Sequence, residues 1–551
     1  MRSTVPRSLL ICALSLPFAG AALAADVRFV ETTTVAGIDF VHNTGAFGEK
    51  WLPETMGSGV VVLDYNGDGR PDLFFVNGTR FEGKPGRATT QRLYRNDGGL
   101  RFTDATAEAG LALEAYCMGG AAGDVDNDGD ADLYLSCVGT DRLLVNEGGR
   151  FTDRSREAGL AQAYEFGASV ALLDADKDGW LDVFAARYVT WTPETDLFCT
   201  LDGKNKAYCT PESYQGASPR FYRNRGDGTF EDVTAAAGIH KPDAKSLGVA
   251  VLDLDDDAWL DLAVANDTQP NLLYHNRGDG TFEESGVISG MAFSETGVAR
   301  GGMGIDAADF DGSGRQSLVI GNFANEMVAL YKNEGNLLFV DVAPSAQIGR
   351  PTLLSLTFAA FFFDYDLDGH LDMLAANGHL DPEIEAVQPN VRFEQPTQLF
   401  RNTGAGRFEE VTSTAGGDLA EPRVARGAAW ADLDGDGDQD AVLTTNGGPA
   451  MLFENQGDAH GHWLQVDLRG TKSNRDGLGA TVELTAGGRT QSWLVRTGSS
   501  YLSQSQTSPV FGLGTTTKID KLVVRWPSGT VQTVPPPDTV DRRIEVVEPG
   551  G

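Results

Sequence analysis

The sequence predicts an all-β protein: a seven-bladed β-propeller with cation-binding loops, followed by a small β-sandwich-like domain. Three observations predict it. An acidic nonapeptide recurs seven times between residues 64 and 440. Each copy lies between short apolar runs of strand character, such as Gly59-Val-Val-Val-Leu63 before the first and Leu73-Phe-Phe-Val76 after it. A fourth-strand pattern missing from the last copy reappears near the amino terminus, which lets the repeat close on itself.

The acidic loops carry oxygen side chains at positions 1, 3, 5 and 9. In order they are Asp64, Asn66, Asp68 and Asp72; Asp124, Asp126, Asp128 and Asp132; Asp174, Asp176, Asp178 and Asp182; Asp253, Asp255, Asp257 and Asp261. The fifth copy is degenerate, with Asp309, Asp311, Ser313 and Ser317. The last two hold Asp364, Asp366, Asp368 and Asp372, then Asp432, Asp434, Asp436 and Asp440. Position 6 is Gly in every copy but the fourth, where Ala258 stands. Hard oxygen ligands at this spacing around a sharp turn suit Ca²⁺, at about six or seven sites, better than Mg²⁺, which retains more water. An EF-hand needs a bidentate Glu at position 12; here that position is Phe75, Leu135, Ala185, Val264, Ile320, Ala375 and Leu443, all apolar. Asx-rich turns without metal could explain one copy, but not seven in register. The fifth loop is expected to be the weakest site, and the ions structural.

Four strands per unit follow from the segments after each loop. A third strand ends at an Asn turn, as in Leu93-Tyr-Arg-Asn96 and Phe221-Tyr-Arg-Asn224, and a fourth follows, as in Thr229-Phe-Glu-Asp-Val-Thr234. The seventh unit ends at Asn455 without it, and Arg28-Phe-Val-Glu31 supplies the missing copy. The amino-terminal strand is therefore expected to complete the seventh blade, leaving no open edge. The organisation reads as an export signal over 1–24, a propeller over 25–460 and a separate β domain over 461–551.

Arg2 and Arg7, an apolar run over 8–18 and Ala22-Leu-Ala-Ala25 form the signal pattern, with cleavage expected after Ala24. No other run is long and apolar enough to span a membrane. Cys12 leaves with the signal, and Cys117–Cys137 and Cys199–Cys209 are the preferred disulfides among three possible pairings of the remaining four, in a periplasmic or secreted setting. With 78 acidic against 44 basic residues, a net charge of −34 argues against nucleic acid as a partner.

From about residue 461 the repeat stops. Apolar and polar residues alternate through Trp463, Leu464, Val466 and Leu468 and again through Val482 and Leu484, between Gly-rich turns, which predicts a compact all-β module. The D-x-D-x-D-G-x-x-D loops between short strands resemble FG-GAP/VCBS repeats. His462-Trp-Leu-Gln-Val-Asp-Leu468, Asn474-Arg-Asp-Gly-Leu-Gly-Ala480 and Leu522-Val-Val-Arg-Trp-Pro-Ser-Gly529 resemble an ASPIC/UnbV domain. Together they resemble the cartilage acidic protein family and its bacterial relatives. The resemblance implies a calcium-stabilised propeller with an extracytoplasmic binding or adhesion role, and it implies no particular reaction.

In a four-stranded meander the acidic loops and Asn turns share one face. The opposite face carries three long connections, 77–92, 188–220 and 377–398. Long loops on a rigid frame commonly bear function. Tyr188, Trp191, Phe198, Tyr208 and Tyr214 offer either a sugar or protein platform or packing over the frame. Glu54, Arg187, Asn266, Asp267, Arg300, Asn322, Asn377, His379 and Arg426 are expected near the channel mouth on this face. They form either a polar pocket or hydrogen bonds to strand ends. His42, Glu54 and His379 could hold a transition metal. No G-x-S-x-G or H-E-x-x-H motif is present. Two function classes stand: a binding or adhesion scaffold with a protein or glycan ligand opposite the acidic loops, and a lyase-like carbohydrate-active enzyme using that same face.

Overall fold

The structure, a computed structural model, describes residues 28–160, 164–200, 203–404, 406–457 and 461–550. The expected signal over 1–24 lies outside them, as do residues 458–460 before the expected domain boundary.

The chain is all-β, as predicted, and its sheets fit a propeller. The first unit pairs Val60–Leu63, Asp72–Phe75, Arg92–Asn96 and Phe102–Asp104 in one antiparallel meander. The same order recurs in the following units, whose innermost strands begin at Cys117, Glu165, Ser246, Gly302, Thr357 and Ala425. Units two and three join into one sheet where Glu165 and Phe166 pair with Gly139 and Val138. In the last unit the outer strand is Arg28–Glu31, antiparallel to Met451–Gln456 with Phe29 opposite Asn455. Phe29 is fully buried, so this strand is anchored by its side chain as well as by its ladder.

Innermost strands such as Cys117–Gly123 and Thr357–Phe363 are buried at every residue. Neighbouring units cover both of their faces, so apolar and small residues run without alternation there. Outer strands such as Phe102–Asp104 and Phe230–Asp232 bury only the Phe.

A ring of asparagines ties each unit to the preceding one. Asn146 Nδ2 donates to Tyr65 O at 2.8 Å, Asn224 to Val125 O at 2.8 Å and Asn276 to Ala175 O at 2.8 Å. Asn333, Asn402 and Asn455 continue the series to Leu254, Phe310 and Tyr365. Asn96 donates to Leu433 O at 2.8 Å, joining the first unit to the last. The cycle is closed. Each acceptor is the carbonyl at position 2 of an acidic loop, so the loops are also the joints of the ring.

The carboxyl-terminal domain is two sheets. Val510–Gly514, His462–Arg469 and Arg542–Val547 form one, with the last pair parallel. Arg489–Leu494, Thr481–Ala486, Ile519–Arg525 and Val531–Val534 form the other. Both disulfides follow the preferred pairing, Cys117–Cys137 and Cys199–Cys209. Among the described residues no helix is long and apolar enough to cross a membrane.

The sequence pattern did not anticipate the relation of the two parts. Residues 497–506 of the carboxyl-terminal domain run into the centre of the ring. Thr497 Oγ1 accepts from Leu172 N at 2.7 Å, Ser500 O from Ile305 N at 3.0 Å and Gln504 O from Val62 N at 3.0 Å. Gln504 Oε1 accepts from Ala122 N at 3.0 Å, and Ser505 Oγ from Trp430 N at 3.2 Å. The segment therefore satisfies inner-strand amides that no neighbouring strand could reach. A side chain at Gly59 would place its Cβ 1.8 Å from Leu502 O, and one at Gly119 would meet the Leu502 backbone at 2.9 Å. Those glycines make room for the segment.

Candidate functional site

The acidic loops share one local construction: in all seven the position 1 carboxylate folds the turn by accepting the position 6 amide, and in the first, second, fourth and fifth the position 5 amide as well. Asp124 takes Asp128 N at 3.0 Å and Gly129 N at 2.8 Å. Asp309 does the same with Ser313 N at 2.9 Å and Gly314 N at 2.8 Å. The position 9 carboxylate holds the base. Asp132 accepts from Val125 N at 2.9 Å and from Asn146 N, the Asn turn, at 2.7 Å. In the fifth loop Ser317 Oγ accepts only the Asn333 amide, at 3.0 Å. Position 6 needs a left-handed backbone, φ +105° at Gly129 and φ +66° at Ala258. Ala258 costs about 1 kcal/mol more there than Gly.

Carboxylates of one loop converge. One oxygen each from Asp124, Asp126 and Asp132 lie within 4.8 Å of one another, as do oxygens of Asp174, Asp176 and Asp178. Asp253, Asp255 and Asp261, and Asp364, Asp366 and Asp372, form like groups. Burial, with the neighbouring carboxylates, pushes Asp124 and Asp174 up to about 7 and Asp132 and Asp261 up to about 8. Burial, despite two backbone amides, pushes Asp432 up to about 7. Asp174 Oδ1 and Asp364 Oδ1 are buried and accept no hydrogen bond. Crowded, protonation-prone carboxylates with orphaned oxygens fit a hard divalent cation, which positions 1, 3 and 9 of the second, fourth and sixth loops and positions 1, 3 and 5 of the third could hold. Such a cation supplies the counter-charge that the buried carboxylates otherwise lack.

A residue missed by sequence reasoning modulates this set. The side chain just before the turn Asn reaches the position 3 carboxylate. Arg223 lies 3.2 Å from Asp176, His275 3.3 Å from Asp255, Lys332 3.3 Å from Asp311 and Arg401 2.9 Å from Asp366. The signal was the basic residue in Tyr-Arg-Asn, read earlier only as strand. In the fifth loop burial raises Asp311, but Ser313 and Lys332 outweigh it and leave the carboxyl below its ordinary value.

The carboxyl-terminal domain sits on these loops. Arg543 donates to Gly69 O of the first loop. Asp124 N of the second donates to Asp476 Oδ2 at 2.8 Å, and Asn127 Oδ1 accepts from Arg475 N at 3.1 Å. Gly514 N donates to Leu367 O of the sixth at 2.8 Å, and Asp432 N of the seventh to Gln506 Oε1 at 3.2 Å.

On the opposite side, most of the residues expected at the channel mouth are committed to internal bonds. Buried Arg187 pairs with Asp141 and Glu165. Asp267 accepts from the Tyr188 hydroxyl at 2.6 Å, and Arg300 pairs with Asp341 and Glu295, both at 2.9 Å. Asn266, Asn322 and Asn377 donate to Pro270 O, Met327 O and Pro396 O. Arg426 joins Thr55 O at 2.7 Å to His379 O at 3.2 Å, which brings the Glu54 and His379 segments together. Glu54 Oε2 accepts from Tyr208 at 3.0 Å, while Oε1 is buried without a donor.

Burial, with Arg426 nearby, lowers His42 to about 3 and His379 to about 4, so both imidazoles are neutral. His42 Nδ1 accepts from Gly447 N and His379 Nδ1 from Asp381 N, each at 3.1 Å. The ring proton of each therefore sits on Nε2, and neither ring presents an Nε2 lone pair to a metal. The arrangement does not suit the transition-metal reading of His42, Glu54 and His379. Of the long-loop aromatics, Tyr188, Trp191 and Tyr214 are buried, Tyr208 is half-buried and Phe198 is 66% exposed.

The same side holds an open groove of about 1140 Å³, bordered by Arg80, Lys84, Glu114, Tyr116, Tyr164 and Glu194. Its floor is rigid: Phe81 stacks on Tyr116 with centroids 4.7 Å apart, and Trp51 meets Phe81 at 4.8 Å and Trp191 at 5.5 Å. Tyr164 stands 49% exposed at its edge. Sequence reasoning identified the loops but not this groove, because five separated stretches of chain, around Arg80, Glu114, Thr140, Tyr164 and Pro193, build it.

Two family models match separate parts of the chain. A family model described as FG-GAP-like repeat matches residues 64–135, 195–264, 253–320 and 386–443, and one described as ASPIC and UnbV matches 470–551. Cartilage acidic protein 1 of Xenopus tropicalis is 27% identical over 446 residues, covering 76% of this chain and 62% of that protein. The Homo sapiens protein of the same name is 26% identical over 440 residues, covering 76% and 60%. The chain thus spans about six-tenths of the length of these curated relatives. A solved Agrocybe aegerita lectin that recognises non-reducing terminal N-acetylglucosamine aligns with a TM-score of 0.41 at 16% identity. It covers 79% of this chain and 99% of the lectin, a likeness too distant to bear on ligand choice.

Proposed function

For a chain of FG-GAP repeats joined to an ASPIC/UnbV domain and homologous to cartilage acidic protein 1, we propose a calcium-loaded binding or adhesion scaffold acting outside the cytoplasm. Its ligand, a protein or a glycan, is taken on the long-loop face. The observation that carries this reading is the open groove beside Tyr164, on the side away from the acidic loops, while the chain's own domain is bonded to the first, second, sixth and seventh of those loops. A rigid aromatic floor with cations and carboxylates at its rim suits recognition without chemistry. Two disulfides support an oxidising compartment. The ions are structural: they neutralise buried carboxylates at the joints of the ring and keep the frame that carries the groove.

The test is a screen of the mature protein against glycan and protein arrays, with and without calcium, repeated with Tyr164→Ala. Specific binding that needs calcium and falls in the variant is the expected result. Binding unaffected by Tyr164→Ala, or bond cleavage in a bound glycan, would overturn the reading.

A further inference from the structure

Seven converging loops and one domain laid across them pose a question about linkage. The domain contacts atoms of the loops themselves. It reaches the Gly69 carbonyl in the first, the Asp124 amide and the Asn127 side chain in the second, the Leu367 carbonyl in the sixth and the Asp432 amide in the seventh. Those positions hold their places only while the carboxylates of each loop tolerate one another. Asp476 adds a further carboxylate beside the second loop, its Oδ2 2.8 Å from Asp124 N. The same domain sends residues 497–506 down the channel, where they bond inner strands of five units.

We propose that cation binding in the acidic loops and seating of the carboxyl-terminal domain are one coupled event, with residues 497–506 a strap that cation loss releases. The proposal rests on the calcium reading above. A cation sets the loop backbone that the domain grips and offsets the charge Asp476 brings. By linkage, a seated domain must in turn raise cation affinity, because it favours the loop conformation that binds. The strap bonds the inner strands while the domain grips the loops. A change at either end is thus felt at the other.

The test uses the full chain and two channel substitutions. The Leu502 backbone lies against Gly59 and Gly119, its amide donates to Ser169 Oγ at 2.9 Å, and its side chain, which Leu502→Ala removes, is buried in the core of the ring. The Tyr501 hydroxyl donates to Met56 O at 2.9 Å. Calcium affinity is measured by calorimetry in wild type, Leu502→Ala and the milder Tyr501→Phe. Hydrogen exchange of 497–506 is followed with and without calcium. The expected results are about tenfold weaker calcium binding in Leu502→Ala, a smaller loss in Tyr501→Phe, and exchange of 497–506 at least about tenfold faster without calcium. If chelation melts the whole ring, the affinities decide, and if Leu502→Ala does not fold, Tyr501→Phe decides alone. Calcium bound with unchanged affinity in the folded variants, or equal exchange with and without it, would overturn the coupling and leave the calcium reading standing. No calcium bound to wild type would end both.

Discussion

The two faces of the ring are built from the same repeat and put to opposite use. On one face the acidic loops and Asn turns are nearly uniform, joined in a closed cycle and bonded at four loops to the carboxyl-terminal domain. On the other, connections differ from unit to unit, and five separated stretches of chain frame an open groove. The difference teaches that repetition here serves assembly. The conserved chemistry of the unit, carboxylates and a turn Asn, is spent on joints and a docking floor. The irregular insertions build the open groove of the opposite face.

The largest expected effect breaks the assembled face. Stripping calcium should lower the melting temperature sharply, since each site at a hundredfold excess over its dissociation constant contributes about 2.7 kcal/mol. The effect should depend on pH. Asp124, Asp132, Asp174 and Asp261 lie well above the ordinary 3.8 in the metal-free fold, so that fold binds more protons than the unfolded chain between roughly pH 4 and 8. Metal-free stability therefore falls as pH rises through this window. Melts at pH 5 and pH 8 check it: the metal-free protein should be weaker at pH 8, and calcium should restore more there. A metal-free protein more stable at pH 8 would contradict the assignment.

A smaller change loosens one joint. Asn146→Ala removes the bond to Tyr65 O and leaves buried groups unpaired, at an expected cost of about 1–3 kcal/mol by denaturant unfolding. Equal stability would remove the Asn ring from the account. Smallest for the frame is Tyr164→Ala on the open face, expected within about 0.5 kcal/mol of wild type while ligand capture falls. A large loss of stability would mean that Tyr164 belongs to the frame.

Much of this was legible in the sequence because it is local. A nonapeptide with Asp at fixed offsets, a turn Asn and a short strand each announce themselves within ten residues. The displaced copy at Phe29 anticipated its pairing opposite Asn455. The strap was not legible, because residues 497–506 carry no motif and their partners lie hundreds of residues away. Gly59 and Gly119 were the trace it left, and they read as ordinary strand glycines until Leu502 is seen against them. The residues before the turn Asn were missed for a related reason: Arg223 and Lys332 look like strand surface until the loop folds back beside them. At the channel mouth, where the sequence left a polar pocket and hydrogen bonds to strand ends both open, Arg187 bonds Asp141 and Glu165, and Arg426 bonds Thr55 O and His379 O.

The central claim is that the acidic loops are unequal cation sites at the joints of the ring. Metal content of the purified mature protein, measured loop by loop, tests it most directly. The account predicts several calcium ions per chain, one fewer in an Asp126→Ala/Asp128→Ala variant, and no loss in Asp311→Ala, where Ser313 and Ser317 stand in place of two of the four carboxylates. Equal losses from the second and fifth loops, or no calcium in the wild type, would contradict it.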